Sequence, residues 1–252
     1  MENSPDKLLL ALQFWDQDKA QAMRVARLVA DLEFRHSTAA DFLFVARFDS
    51  SQDPATVAYV SRKFNTFSYV NKNRRGQGWP FGCNELWFGS LDHVYTQTQA
   101  GLMPGYKAIL TFEADACPLI PDWIGELSRE WDRLFANGAR IIGHMTPPGP
   151  VESGGVHING NCLVSGDSEY LHWLSRKLGG CAPGGGWDYI LAPSFKQRGW
   201  ADTKKIRSYW HAPTMNEKFF HNIVTEGVVL SHGVKDDSVL NMVRQRYLSV
   251  VK

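Results

Sequence analysis

Ala108-Ile109-Leu110-Thr111-Phe112-Glu113-Ala114-Asp115 is an apolar run that ends on two carboxylates one residue apart. The run reads as a buried strand, and an acid pair at a strand's carboxyl end is where α/β proteins hold cations and phosphates. Alternate residues of a strand point to one side, so Glu113 and Asp115 face a single ion if the extended geometry continues through them. Hard oxygen donors suit magnesium or manganese. Near the other end of the chain, Val228-Val229-Leu230-Ser231 runs into His232-Gly233-Val234-Lys235-Asp236. The imidazole of His232 tilts the choice towards manganese, and Lys235 is placed to neutralise phosphate oxygens. A nucleotide diphosphate leaving group needs that charge compensation. Taken alone, Glu113 and Asp115 would read equally well as acids that end a strand and cap the next helix; the His-Gly-x-Lys-Asp segment favours the metal.

Strands and helices alternate on either side of this run. Leu8 to Trp15 reads as a buried strand, and Lys19 to Phe34 carries Ala22, Val25, Ala26, Val29 and Leu32 on a helical period. Phe42 to Phe48 is a second strand, a short helix follows Pro54, and Thr66 to Asn71 is a third strand. A helix from about Asn84 to Ala100 precedes the Ala108 strand. Pro121 to Ala136 then reads as a helix whose entry carries a proline and an acid, followed by a strand over Arg140 to Met145. This order predicts a parallel sheet covered on both faces, with ligands at the carboxyl ends of its strands. After Met145 the rhythm changes. Thr146 to Pro150 and Cys181 to Gly186 are loops, the second a mobile glycine-rich one without a phosphate-loop pattern. Val156 to Ser165 between them is a strand expected to cross the sheet edge.

With 252 residues, 44% of them apolar and 21% charged, the chain is long enough for one sizeable catalytic domain and is not of disordered composition. A formal charge of +1 gives no overall basic field for nucleic acid or an anionic membrane, so any such partner is met locally. Cys83, Cys117, Cys162 and Cys181 form no CxxC pair and read as free thiols rather than a zinc or redox motif. The start lacks a basic signal region, and no apolar stretch reaches membrane-spanning length. The expectation is a cytoplasmic protein, or one of the host cytoplasm if phage-encoded, without a membrane anchor.

The order of these motifs resembles the glycosyltransferases of the GT-A fold: a nucleotide-binding αβ half, a DxD-like motif ending a central strand (Glu113-Ala114-Asp115), an acceptor-side half and a late histidine. The resemblance implies an α/β, GT-A-like fold, a Rossmann-like, mixed but mostly parallel sheet flanked by helices. It implies one catalytic domain over 1–252, with residues 1–145 the nucleotide-sugar-binding half and 146–252 the acceptor-binding half. In that family the acidic motif binds manganese bridging the donor diphosphate and a late histidine completes the metal shell, which makes Glu113, Asp115 and His232 the ligands of Mn2+ or Mg2+. The His232-Gly233-x-Lys235 segment looks like the family's HxxGxxK-type closing motif with shorter spacing, and Glu113 stands where the first Asp is usual. The first two strands of the fold end at the nucleoside pocket, which puts Phe14, Trp15, Arg47 and Asp49 beside base and ribose. Phe14 and Trp15 read equally as core.

The implied reaction moves a sugar from a nucleotide donor, a UDP-sugar by expectation, to an acceptor hydroxyl. Asp188, after the glycine loop, is the candidate base, although it also reads as a helix cap. Trp187 beside it and Asn161 are acceptor-side contacts, unless Gly160-Asn161 is simply a turn. From Pro54 to Asn84 there is no acid, while Arg62, Lys63, Lys72, Arg74 and Arg75 precede Trp79 and Phe81. Arg74 or Arg75 binds the donor diphosphate, or the loop contacts a DNA backbone with Trp79 beside a base. Lys204, Lys205 and Arg207 add to the DNA reading. The small layout also resembles the phage and kinetoplastid enzymes that glucosylate hydroxymethylated pyrimidines in DNA. A surface polysaccharide or lipid-linked sugar is the competing acceptor. A nucleotidyltransferase, or a non-catalytic nucleic-acid-binding module, would be a different class of answer.

Overall fold

In the computed structural model the described residues are 6–73, 78–147, 155–177, 185–210 and 214–249. In chain order the elements are β1 (Leu8–Phe14), α1 (Lys19–Leu32), β2 (Ala40–Arg47), α2 (Pro54–Val60), β3 (Thr66–Asn71), α3 (Phe81–Gln99), β4 (Ala108–Glu113), β5 (Cys117–Pro118), α4 (Trp123–Phe135) and β6 (Ile141–Thr146). There follow β7 (His157–Ser165), α5 (Ser168–Ser175), α6 (Trp187–Ile190), α7 (Ala192–Arg198), β8 (Trp200–Asp202), β9 (Ile206–Ser208), α8 (Glu217–Thr225), β10 (Leu230–His232) and α9 (Ser238–Tyr247).

Seven strands form one sheet in the order β3-β2-β1-β4-β7-β6-β8. β3, β2, β1 and β4 are mutually parallel, as are β6 and β8, while β7 runs antiparallel to both β4 and β6. The sheet is therefore mixed and mostly parallel, and it takes strands from both halves of the chain. Every residue of β1 is buried because both sheet faces are covered. The strand's alternation sorts the core into two layers. Leu8, Leu10, Leu12 and Phe14 pack with Phe42, Phe44, Phe112 and helices α1, α4, α8 and α9; Leu9, Ala11, Leu43, Val45 and Ile109 pack with α3, α5, α6 and α7. α1 carries its apolar residues at Ala22, Val25, Ala26 and Val29 towards the first layer, and α2 starts where the Asp53 side chain accepts the Thr56 N–H at 2.9 Å, ahead of a proline at the first turn.

One expectation is corrected. The Val156–Ser165 strand lies inside the sheet, between β4 and β6, rather than across its edge; β3 and β8 are the edges. Eight of the nine residues of β7 are buried, so it needs neighbours on both sides and a cover on both faces. Because β7 runs opposite to β4, its beginning lies at the end of the sheet where β1, β4 and β6 finish. The chain order reverses between β1 and β4, which opens a crevice at their carboxyl ends, the usual ligand site of such sheets.

A second sheet of three short strands, β5-β10-β9, stands at this crevice. β10 pairs antiparallel with β5 through Leu230↔Pro118 and Ser231↔Cys117, and parallel with β9 through His232↔Ser208. No helix among the described residues is long and apolar enough to cross a membrane.

Candidate metal and donor site

Glu113 at the end of β4, Asp115 in the turn that follows and His232 at the end of β10 meet because that turn leads straight into β5, which pairs with β10. Leu119 N–H donates to Val229 O at 2.9 Å, extending the same bridge. Among the described residues, one ligand atom from each of Glu113, Asp115 and His232 lies within 4.8 Å of the others. His232 Nε2 is 2.9 Å from Glu113 Oε2 and 3.1 Å from Asp115 Oδ1. Nε2 is buried, yet neither oxygen is in hydrogen-bond alignment with it. A buried nitrogen without an aligned partner, beside two carboxylates, offers nitrogen and oxygen donors of the kind that could hold a divalent cation. These residues fit manganese or magnesium.

Charge is concentrated here. Burial opposes ionisation of His232, but the adjacent Asp115 and Glu113 outweigh it and raise its pKa from 6.5 to about 9. Burial likewise opposes ionisation of Asp115, and His232 and then Lys235 hold its carboxyl below the ordinary range. Lys235 Nζ is 3.9 Å from Asp115 Oδ2 and its side chain is 75% exposed, so it can turn to an incoming phosphate. With no metal bound, the raised His232 pKa contributes stability that is fully present below 6.5 and is lost as the pH rises through about 9. The urea midpoint of metal-free protein is expected to fall between those limits, and a flat profile would remove the pairing from the account.

Asp18, just before α1, belongs to the same acidic region, and no motif had marked it. Burial pushes its pKa up to about 6, against the hydrogen bond it accepts from Trp15 N–H at 2.8 Å, with the negative fields of Glu113 and Asp115 adding to the rise. Cys83, near the start of α3, is an exposed free thiol.

At the ends of β1 and β2, Arg47 lies over the Trp15 ring with its guanidinium 4.5 Å from the centroid. Its Nε donates to Asp49 Oδ1 at 3.0 Å and its Nη2 to Asp49 Oδ2, and this bidentate pairing lowers the Asp49 pKa and raises that of Arg47. Trp15, Arg47 and Asp49 thus form one group at the strand ends. Phe14 does not join it: its side chain is buried in the first core layer. Arg74 and Arg75 lie outside the described residues.

On the other side of the crevice, Asn84 of α3 grips the segment that enters α6. Its Oδ1 accepts Trp187 N–H at 2.8 Å and its Nδ2 donates to Gly185 O at 3.0 Å. Asp188 is thereby held at the start of α6, with Oδ2 3.8 Å from His157 Nε2. A Cβ on Gly186 would lie 2.4 Å from Asp188 Oδ1, so the glycine makes the room for this carboxylate. Trp187 is placed differently from the expectation: it is 4% exposed and stacks on Trp87 at 3.6 Å and 14°. Asn161 is likewise wholly buried, turned to Glu113 rather than to solvent. Trp79 remains open, 68% exposed, just ahead of α3. Trp210 is 50% exposed and stands edge-on to the His232 ring at 4.5 Å.

No protein-family model matches the chain, and no curated protein matches it in sequence. The fold is similar to that of the WbbM bifunctional glycosyltransferase in its apo structure, with a TM-score of 0.52 and 9% identity over 90% of this chain and 45% of that one. It is also similar to the galactosyltransferase LgtC, solved with donor and acceptor sugar analogues, with a TM-score of 0.52 and 10% identity over 89% of this chain and 86% of that one. The chain spans less than half the length of WbbM. At these identities the likeness establishes a GT-A-like fold.

Proposed function

We propose that this protein is a metal-dependent glycosyltransferase that moves a sugar from a nucleotide-sugar donor, best a UDP-sugar, to an acceptor hydroxyl. The observation that carries the reading is the convergence of Glu113, Asp115 and His232 at the crevice where β1 and β4 part. That the two structures named above, WbbM and LgtC, are glycosyltransferases by name supports it. Glu113, Asp115 and His232 would hold Mn2+ or Mg2+, which when bound neutralises charge on a diphosphate. Trp15 offers an aromatic face to a nucleobase, and the Arg47–Asp49 pair offers donors and acceptors to a ribose. Lys235 takes the phosphate oxygens. The bond from the anomeric carbon to the diphosphate breaks with its electron pair leaving on the diphosphate, and the acceptor oxygen bonds to that carbon. Asp188 receives the hydroxyl proton. Residues 1–145 serve mainly the donor and residues 146–252 the acceptor, although His232 comes from the second part.

Of the two acceptor classes, the carbohydrate is favoured over hydroxymethylated DNA. Lys205 donates to Glu126 at 2.6 Å and Arg207 makes paired bonds to Asp202 at 3.0 and 3.1 Å, so two cations of the second basic cluster are engaged within the protein. Asp18, Glu113, Asp115 and Asp188 further make the crevice unfavourable for a polyanion unless its charge is compensated.

The test is thermal shift and donor hydrolysis with manganese against a panel of nucleotide sugars and nucleoside triphosphates, with carbohydrate and hydroxymethylated-DNA acceptors added in parallel. Manganese-dependent stabilisation by one UDP-sugar, with transfer to a carbohydrate, is the expected result. Consumption of a triphosphate instead would make the protein a nucleotidyltransferase, and transfer to DNA alone would reverse the choice of acceptor.

A further inference from the structure

The three metal-ligating side chains are not held by one another alone. His232 Nδ1, the nitrogen facing away from the acids, lies 3.2 Å from Ser208 Oγ. A histidine that ligates through Nε2 must carry its proton on Nδ1, and the Ser208 oxygen is the acceptor that keeps it there. Ser208 is itself held: its N–H donates to His144 Nδ1 at 3.1 Å, and it sits opposite His232 in the β9–β10 pairing. Tyr209 N–H donates to His232 O at 2.7 Å, closing the same pairing. Gly233 follows the ligand with φ +96, and a Cβ there would lie 3.1 Å from Trp210 N, so the β9 terminus can approach this closely only beside a glycine.

Glu113 is held from the other side by β7. Asn161 Oδ1 accepts the Glu113 N–H at 2.9 Å, while its Nδ2 lies 3.4 Å from Glu113 Oε2 and 3.3 Å from Asn159 Oδ1. One buried amide thus addresses both the backbone and the carboxylate of Glu113. The carboxylate oxygen it reaches is the one 2.9 Å from His232 Nε2. Without that amide the Glu113 side chain, which is 39% exposed, is free to swing into the crevice.

We propose that Ser208 and Asn161 are positioning residues of the metal centre, Ser208 aiming Nε2 of His232 and Asn161 aiming the carboxylate of Glu113. The inference rests on the metal reading of the preceding subsection. It assigns Asn161 a role beneath the site instead of a contact with the sugar, and it assigns Ser208 a role that its place in a short edge segment does not announce.

The test is titration of the protein with Mn2+ alone, reading free Mn2+ by electron paramagnetic resonance, alongside urea unfolding of each metal-free variant. Ser208→Ala and Asn161→Ala are each expected to weaken Mn2+ binding about 10-fold. Ser208→Thr, which keeps the hydroxyl, should restore binding to within about twofold of wild type on the same scale. A purely structural role would move the urea midpoint and leave the Mn2+ affinity unchanged, and that result overturns the inference while the metal reading stands. Wild-type protein that binds no Mn2+ overturns both. If Asn161→Ala does not fold, the Ser208 pair decides the matter, since alanine in place of a partly exposed serine removes a hydroxyl and leaves no large cavity.

Discussion

Asp115→Ala is expected to lower turnover by about 10²–10³-fold, with the loss mainly in kcat. Three features of Asp115 make it the most sensitive ligand. Its side chain is 10% exposed, against 39% for that of Glu113, so it has less freedom to be replaced by water. It lies 3.1 Å from His232 and 3.9 Å from Lys235, and so joins the imidazole to the exposed cation on one carboxylate. It also stands at the turn from β4 to β5, where Ala116 N–H donates to Glu113 O at 3.0 Å and fixes the backbone. Asp115→Asn keeps the shape and removes the charge, so a comparable loss in that variant assigns the effect to charge rather than packing. Wild-type turnover in either variant would remove the acid pair from the chemistry. The measurement is steady-state kinetics at saturating manganese, paired with a Mn2+ titration of the same preparations.

The largest expected loss of stability lies under the acceptor side. Trp87→Ala should cost about 4 kcal/mol. The indole is 1% exposed, faces Trp187 at 3.6 Å, meets Phe88 edge-on at 5.1 Å, and its Nε1 donates to Thr111 Oγ1 at 3.2 Å. Truncation leaves a cavity and deprives Thr111 of a donor. It also removes the surface on which Trp187 rests, one residue before Asp188, so the variant should lose turnover beyond what its unfolded fraction explains. Urea midpoints measure the first effect, and kinetics well below the unfolding transition measure the second. Trp87→Phe, which refills most of the space, should recover more than half of the stability; a Trp87→Ala protein as stable as wild type would show that the two indoles do not form a packed pair.

The parts of this arrangement that could be read in advance are those whose physics is local. Near-continuous apolar runs marked β1, β2 and β4, because strands covered on both faces are apolar at most positions. Glu113, Asp115 and His232 were legible because each stands at the close of such a run. Neighbours and directions were not local. The Val156–Ser165 pattern says strand, but nothing in it says that the strand runs antiparallel between β4 and β6. Asn161 and Trp187 carry polar or amphipathic side chains that look ready for a ligand, and only the packing shows that one is turned to Glu113 and the other to Trp87. Asp18 could have been noticed as an acid between a strand and a helix, the same signal that marked Asp115. Ser208 had no such signal, since its partners His144 and His232 reach it only through the tertiary fold.

The small sheet at the crevice bears on how the protein is made. The strand that carries His232 leaves the ribosome well after its partner β5 and the two acids, since Ser231 stands 114 residues beyond Cys117. A nascent chain can therefore complete β1 to β4 and bury much of its interior before the histidine exists to meet the acids. Closing that long loop carries an entropic cost that a cation binding all three side chains would help to offset. Amide hydrogen exchange should accordingly slow on manganese addition around Cys117 and Leu230, at the seam between early and late chain, while the amides of β1 and β2 keep their rates.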